Sequence, residues 1–143
     1  MRLADDFKDI LSLLNARQIE YLVIGRYAVV YHGVPPVRGT LELWISDDLP
    51  NTTKVLGILR PFGVSRQATS RFLRRKTLKI GRSPVWIELI SDIEGLEFAD
   101  CYSRRVEGTL DGVRAPLISS PDLKRNPKAY GRARDPDDRE NLP

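Results

Sequence analysis

One segment near the N-terminus constrains the fold of this chain more than any other. The apolar stretch Tyr21–Ile24 predicts a short buried strand that ends at Gly25. Residues Tyr27–His32 predict a short helix closed by Gly33, because the two prolines that follow cannot continue it. Thr40–Ile45 then predicts a second strand. A strand, a glycine, a short helix and another strand in close succession indicate a sheet with helices packed on it.

The rest of the chain also alternates between helical and strand-like patterns, which indicates an α/β or α+β fold, a mixed β-sheet flanked by helices. A single domain over residues 1–143 is expected, because the chain is too short for two sizeable cores. The remaining predicted elements are helices at Asp5–Arg17 and Pro50–Arg60, a helical turn at Glu97–Tyr102, a hairpin of Thr77–Ile80 with Val85–Ile90, a hairpin of Arg105–Leu110 with Val113–Ile118 across Asp111-Gly112, and one or two short helices after Pro121.

Cysteine and histidine are scarce, which excludes several kinds of site. The single Cys101 cannot form an internal disulfide and fits a reducing compartment. The single His32, expected to be structural, removes zinc sites of the usual Cys/His type and weakens Ser-His or Cys-His catalysis. The sequence shows neither a secretory signal nor an apolar run near the roughly 20 residues that span a bilayer, so a cytoplasmic location is expected.

Basic residues are clustered, although the net charge is only +4. Such clusters favour phosphate-bearing partners, either nucleotides or nucleic acids. A solvated charged face is the equal alternative, and Arg71–Lys76 is interpreted either as a nucleic-acid contact or as a solvated loop. The first cluster comprises Arg66, Arg71, Arg74, Arg75, Lys76, Lys79 and Arg82, and the second comprises Lys124, Arg125, Lys128, Arg132 and Arg134.

Two predicted strands each place a carboxylate and an indole on one face. Alternation puts Glu42 on the same side as Trp44, and Glu88 on the same side as Trp86. If the strands are antiparallel neighbours with the glutamates adjacent, the indoles also meet, and a two-carboxylate cleft is backed by two tryptophans. The alternative for Glu42 is a solvent-facing position beside an arginine. The indoles are candidates for stacking a base, or for core or interface packing.

Carboxylates in one cleft suit phosphoryl transfer. That reaction uses divalent metal ions that neutralise charge on phosphate oxygens. Mg²⁺ is typically bound by one or two carboxylates together with substrate phosphates. A glycine at the end of a preceding strand, here Gly25, lets phosphate approach backbone N–H groups closely.

The quoted segments resemble a known family. Tyr-Leu-Val-Ile-Gly, then Ala-Val-Val-Tyr-His-Gly, then Arg-Gly-Thr-Leu-Glu-Leu-Trp-Ile are similar to the nucleotidyltransferases of the DNA polymerase β superfamily. The similarity is greatest to the small, antitoxin-like bacterial proteins of the minimal type, and it extends over nearly the whole chain. The family pattern is a strand ending in Gly-Gly or Gly-Ser, a short helix, a strand bearing Asp-x-Asp, and a later strand bearing a third carboxylate.

The resemblance implies a role for five positions. Gly25 matches the first glycine, and Arg26 replaces the small second residue. Thr40 stands at the first aspartate, Glu42 at the second, and Glu88 at the third carboxylate. Glu42 and Glu88 would thus bind Mg²⁺, and Thr40 would assist. Gly25 and Arg26 would bind the triphosphate; for Arg26, a salt bridge to Glu42 is the alternative.

The implied activity is transfer of a nucleoside monophosphate from an NTP to a hydroxyl of a protein or RNA acceptor, with Mg²⁺. In that scheme Glu88 also helps to activate the acceptor. The antitoxin-like group further implies a toxin protein or an RNA as partner, and a homo-oligomer stays open. The alternative is a catalytically inactive module of the same fold that binds a partner protein or nucleic acid.

Overall fold

Six strands form one mixed sheet in the computed structural model, which describes residues 2–32, 39–82, 84–126 and 129. The strand order is β3-β4-β2-β1-β6-β5. The pairs β2/β4 and β1/β6 are parallel, and the other three pairs are antiparallel. The elements are α1 (Asp5–Ala16), β1 (Tyr21–Ile24), α2 (Gly25–Tyr31), β2 (Leu41–Ile45), α3 (Leu49–Leu59), α4 (Arg66–Arg75), β3 (Thr77–Arg82), β4 (Val85–Ile90), α5 (Phe98–Ser103), β5 (Val106–Leu110), β6 (Val113–Leu117) and α6 (Ser120–Arg125), with a 3₁₀ turn at Arg60–Phe62.

The predicted mixed sheet flanked by helices is confirmed. The two strands of the opening segment lie in the middle of the sheet and are buried along their whole length. Both predicted hairpins form, and the predicted helices end within about two residues of their expected bounds. The closure of α2 at Gly33 and the tail beyond Asn126, except residue 129, lie outside the described residues. Within the described part of the chain, none of the helices has the length and apolar character needed to span a bilayer.

Helix α4 is the element that sequence analysis missed. Part of it, Arg71–Lys76, was interpreted as a nucleic-acid contact or a solvated loop. The helix has few apolar residues, and only Phe72 is fully buried. The helix begins at an N-cap, where the side chain of Ser65 accepts a hydrogen bond of 3.1 Å from the backbone N–H of Ala68. The capping serine was the signal available in the sequence.

Asn51 ties helix α3 to the ends of the two central strands. Its buried side chain accepts a hydrogen bond of 2.6 Å from the backbone N–H of Glu20, which precedes β1. Its amide nitrogen donates to the carbonyls of Glu20 at 3.0 Å and Ser46 at 2.9 Å. One side chain thus bonds to three backbone groups at the strand ends, and the Glu20 carbonyl also accepts from the backbone N–H of Ser46 at 3.2 Å.

The turn between β5 and β6 has the backbone shape that an Asp-Gly pair favours. Asp111 has φ 50° and Gly112 has φ 81°, the positive values required in a tight two-residue hairpin turn. The Asp111 carboxylate also accepts a 2.9 Å hydrogen bond from the backbone N–H of Leu3 and lies 2.9 Å from Lys8 Nζ. The hairpin is thereby fastened to the N-terminus and to helix α1.

Gly112→Ala should lower the free energy of unfolding by about 1 kcal/mol, because a Cβ strains the backbone at this φ while meeting no neighbouring atom. Gly57→Ala is the matched control. Its Cβ also meets nothing within 4 Å, but it lies inside helix α3, so alanine should raise the free energy of unfolding by about 0.5–1 kcal/mol. Urea denaturation measures both. Changes of the same sign would contradict the turn geometry.

The stability that Asp111 contributes should depend on pH. The backbone N–H of Leu3 and the ammonium of Lys8 lower the pKa of this carboxyl in the folded protein. The contribution is therefore present above the unfolded-state pKa of about 3.9 and is lost as the pH falls through the lower folded-state pKa. Asp111→Asn keeps a residue that tolerates positive φ. Wild type should be more stable than this variant at neutral pH, with the gap closing in acid, as followed by urea denaturation at stepped pH. A gap that is independent of pH would refute the role of the charge.

Candidate active site

Glu42 and Glu88 lie side by side on neighbouring strands. Strands β2 and β4 run parallel with Glu42 in register with Glu88, so both side chains project from one face of the sheet with their strands roughly 4.8 Å apart. Glu42 is only 1% exposed, whereas Glu88 is half-buried. The solvent-facing alternative for Glu42 is therefore wrong, and the two carboxylates are neighbours on one face of the sheet.

The expectation that these strands are antiparallel is wrong, and so is the predicted meeting of the two indoles. In parallel register Trp44 lies opposite Ile90, while Trp86 lies opposite Gly81 of β3. The connection from β2 to β4 passes through α3, α4 and β3, a crossover long enough to return the chain in the same direction. Alternation fixes the face of a side chain but not the direction of its strand, so the glutamates meet in either case and the tryptophans do not.

The two tryptophans therefore have different environments. Trp44 is 1% exposed and packs edge-on against Phe98, with ring centroids 5.2 Å apart. It belongs to the core and cannot stack a ligand. Trp86 is half-buried, and Lys79 Nζ lies 4.5 Å from the centroid of its ring. Trp86 alone is left as a candidate for stacking a base.

Lys79 places a positively charged side chain beside the carboxylate pair. It is the register partner of Glu88 on the antiparallel strand β3, and it is exposed. The face thus carries a row of Glu42, Glu88 and Lys79 across three adjacent strands. Sequence analysis counted Lys79 only as one member of a basic cluster. Its place in the predicted hairpin was the signal that could have put it beside Glu88.

Gly25, Arg26 and Thr40 lie at the same end of the central strands. Gly25 is buried, has φ 68°, and follows Ile24, which pairs with Glu42. A Cβ added at Gly39 would lie 3.6 Å from Cγ of Arg26, so the stem of this arginine rests on the segment that leads into β2. The half-buried Thr40 comes next in that segment. The structure brings all five predicted site residues into one neighbourhood.

The carboxylate pair suits one Mg²⁺ ion but does not by itself form a complete set of metal ligands. The described residues contain no group of three or more His, Cys, Asp or Glu side chains placed to hold a metal. Glu42 and Glu88 offer hard oxygen ligands, and Mg²⁺ accepts one or two carboxylates when phosphates and waters complete its octahedron. Arg26, Glu42 and Glu88 are each engaged in interactions within the protein. A metal ion would therefore arrive with a nucleotide and compete with those contacts.

The other titratable groups that sequence analysis singled out are structural. His32 Nε2 lies 2.9 Å from the carbonyl of Ile118 and links the end of α2 to the residue after β6. Cys101 is buried on α5, and burial raises the pKa of its thiol to about 11. Neither residue contributes a reactive group to the cleft.

An ion pair between a buried aspartate and an exposed arginine was not anticipated. Asp122 is fully buried in α6, and Arg104 donates to its two carboxylate oxygens through Nε and Nη2, each at 3.0 Å. The side chain of Ser119 caps the same helix by accepting from the backbone N–H of Asp122 at 3.2 Å. The Ser-x-x-Asp spacing was the sequence signal for this cap. The pair fastens α6 to the end of α5.

Comparison with known proteins identifies the fold. No known protein-family profile matches the sequence, and no curated protein matches it. Among solved structures, the lincosamide antibiotic adenylyltransferase LnuA, determined with lincomycin bound, superposes with a TM-score of 0.63 at 15% sequence identity. The match covers 99% of this chain and 98% of that chain. The six-stranded mixed sheet is therefore a nucleotidyltransferase-like fold.

The unequal burial of the two tryptophans can be measured by fluorescence quenching. Trp86→Phe leaves only Trp44, which should emit at short wavelength and resist acrylamide because it is enclosed by the core. Trp44→Phe is the reciprocal control and leaves Trp86, which should be quenched several-fold more efficiently. Equal quenching constants in the two folded variants would contradict the unequal burial of the two indoles.

Proposed function

We propose that this protein binds a nucleoside triphosphate with Mg²⁺ and transfers its nucleoside monophosphate to a hydroxyl of an RNA or protein acceptor. The observation that carries the proposal is the in-register pair Glu42 and Glu88 on one face of the sheet. The nucleotidyltransferase-like fold supports it, and the structural neighbour is by name an adenylyltransferase. The proposal treats the chain as one domain.

The two glutamates have separate tasks in this proposal. Both would hold Mg²⁺, which neutralises charge on the phosphate oxygens when it is bound. Glu88 is the more exposed of the two, so it is the group that accepts the proton of the acceptor hydroxyl. The hydroxyl oxygen then bonds to the α-phosphorus, the bond to the bridging oxygen breaks, and pyrophosphate leaves with the electron pair.

The remaining site residues would position the substrates. Gly25 admits the triphosphate close to the backbone, and the guanidinium of Arg26 pairs with it. Thr40 offers only a neutral hydroxyl where a carboxylate would bind metal more strongly. Trp86 would stack the base. The ammonium of Lys79, which lies over the indole ring, would hold that ring in position.

For the partner, we propose the antitoxin-like role that the family resemblance implies, with a toxin protein or an RNA as the acceptor. Self-association of the chain belongs to the same proposal. A second candidate function is a non-catalytic binding module of this fold. It is favoured by Thr40 at the first metal-ligand position and by the near-complete burial of Glu42.

Calorimetric titration with Mg-ATP, and then with the other NTPs, separates these two functions. Wild type should bind at least one nucleotide, and Glu42→Gln should weaken binding about tenfold or more because a neutral amide is a poor Mg²⁺ ligand. Glu97→Gln, an exposed glutamate before α5, is the control and should bind as wild type does. No binding at millimolar nucleotide would remove the enzymatic function and leave the binding module.

Thr40→Asp gives the complementary test by adding charge. If the cleft is a metal-nucleotide site, a carboxylate at this position should strengthen Mg-ATP binding and make it depend more steeply on Mg²⁺ concentration. The same titration at several Mg²⁺ concentrations measures this. Unchanged binding in a folded variant would place the nucleotide elsewhere.

A further inference from the structure

Helix α4 lies within an unusual stretch of the sequence. From Leu49 to Ile87 the chain contains nine basic residues and no aspartate or glutamate, although the whole chain has a net charge of only +4. Surfaces that serve solubility usually mix both signs. The positive charge is therefore concentrated in one region of the fold. On the helix itself the cations are all arginines, and all are exposed: Arg66, Arg71, Arg74 and Arg75.

The arginines spread from the flank of the helix to the side opposite its buried residue. Phe72 is the fully buried residue of α4; at 100° per residue Arg74 lies nearly opposite it, and Arg71 lies about 100° around the helix from it. A shallow depression of about 320 Å³ on this side is lined by Arg66, Gln67, Ser70, Arg71 and Arg74. We name these five residues the α4 arginine face. Its lining consists of hydrogen-bond donors and cations, with no carboxylate.

This face is electrostatically unfavourable without an anionic partner. Arg71 lies three residues from Arg74 and four from Arg75, spacings at which like charges repel on a helix. Among the residues that the structure describes, no carboxylate forms a salt bridge with any of the four arginines. Lys76, just after the helix, is paired with Asp47 at 3.2 Å. A carboxylate thus neutralises a positive charge just beyond the end of the helix but none on its outer face.

We propose that the α4 arginine face binds the phosphate backbone of an RNA strand. Guanidinium groups present paired N–H donors that match phosphate oxygens, which lysine does not do. The choice of RNA rests on the proposed function, since RNA supplies acceptor hydroxyls as well as phosphates. Helix α4 packs on β3, the strand whose Lys79 lies beside Glu88. Helix α4 therefore lies at the β3 edge of the sheet, next to the strand β4 that carries Glu88.

The test is fluorescence anisotropy with a labelled single-stranded RNA, read at several salt concentrations. Arg71→Gln combined with Arg74→Gln removes two cations while keeping good helix formers. The dissociation constant should rise about tenfold or more, and the slope of log K against log salt should shrink by about 1.4, since each phosphate contact on a single strand contributes about 0.7. Circular dichroism verifies that the variant is folded.

Two matched variants distinguish binding by the α4 arginine face from an effect of net charge alone. Arg17→Gln combined with Arg114→Gln removes the same charge from exposed positions on α1's end and on β6, and it should change RNA affinity little. Arg71→Lys combined with Arg74→Lys should keep the salt slope but weaken affinity several-fold, because ammonium groups lack paired donors. Equal losses in the α4 and control glutamine variants would overturn the proposal.

Three further outcomes distinguish the RNA-binding proposal from the proposed nucleotide site. A DNA strand of the same sequence that binds more tightly than the RNA would overturn the assignment to RNA, because phosphate contacts alone favour neither strand. Absence of RNA binding in a protein that binds Mg-ATP would overturn the arginine face alone. RNA binding that depends on Arg71 and Arg74, in a protein that does not bind Mg-ATP, would support the face and remove the enzymatic function.

Discussion

The parallel pairing of β2 with β4 is the constraint on which the rest of the site depends. Because the two strands run in the same direction, the chain between them must cross over, and it does so as α3, α4 and β3. That crossover leaves β3 at the edge of the sheet with Lys79 beside Glu88. The same pairing sets Glu42 next to Glu88 and sends the two indoles to different surroundings. The direction of this pairing thus determines the surroundings of the indoles, while its register and the β3–β4 hairpin place the two carboxylates and Lys79 side by side.

The burial of the Glu42 carboxylate in this arrangement is energetically unfavourable by itself. A carboxylate that is almost wholly withdrawn from water must be compensated by nearby hydrogen-bond donors or cations. Such a group is poorly explained as a surface residue, and to bind a metal ion it would have to exchange its contacts within the protein for that ion. Thr40 also works against metal binding, since it provides no charge where Glu42 and Glu88 would benefit from a third oxygen ligand. These two features favour the binding module, and the in-register pair favours the proposed transfer.

The sequence predicted most of the elements because their signals are local. Apolar runs marked β1 and β2, the Asp111-Gly112 turn marked the second hairpin, and alternation placed both glutamates on one face. Strand direction could not be read from the sequence, because it depends on the crossover and not on side-chain period. Helix α4 was missed since its stability comes from the Ser65 cap and the single buried Phe72 rather than from an apolar stripe. Predicted roles in metal and triphosphate binding remain predictions.

The chemical accessibility of Cys101 reports the motion of helix α5. A thiol with a pKa of about 11 is ionised at neutral pH to roughly one part in ten thousand, and this one is also enclosed. It lies on α5, whose Phe98 packs against Trp44, two residues along the strand from Glu42. Alkylating reagents therefore reach it only when α5 moves away from the core. The labelling rate of this natural cysteine measures how often that happens, and a ligand that stabilises the packing of α5 slows it.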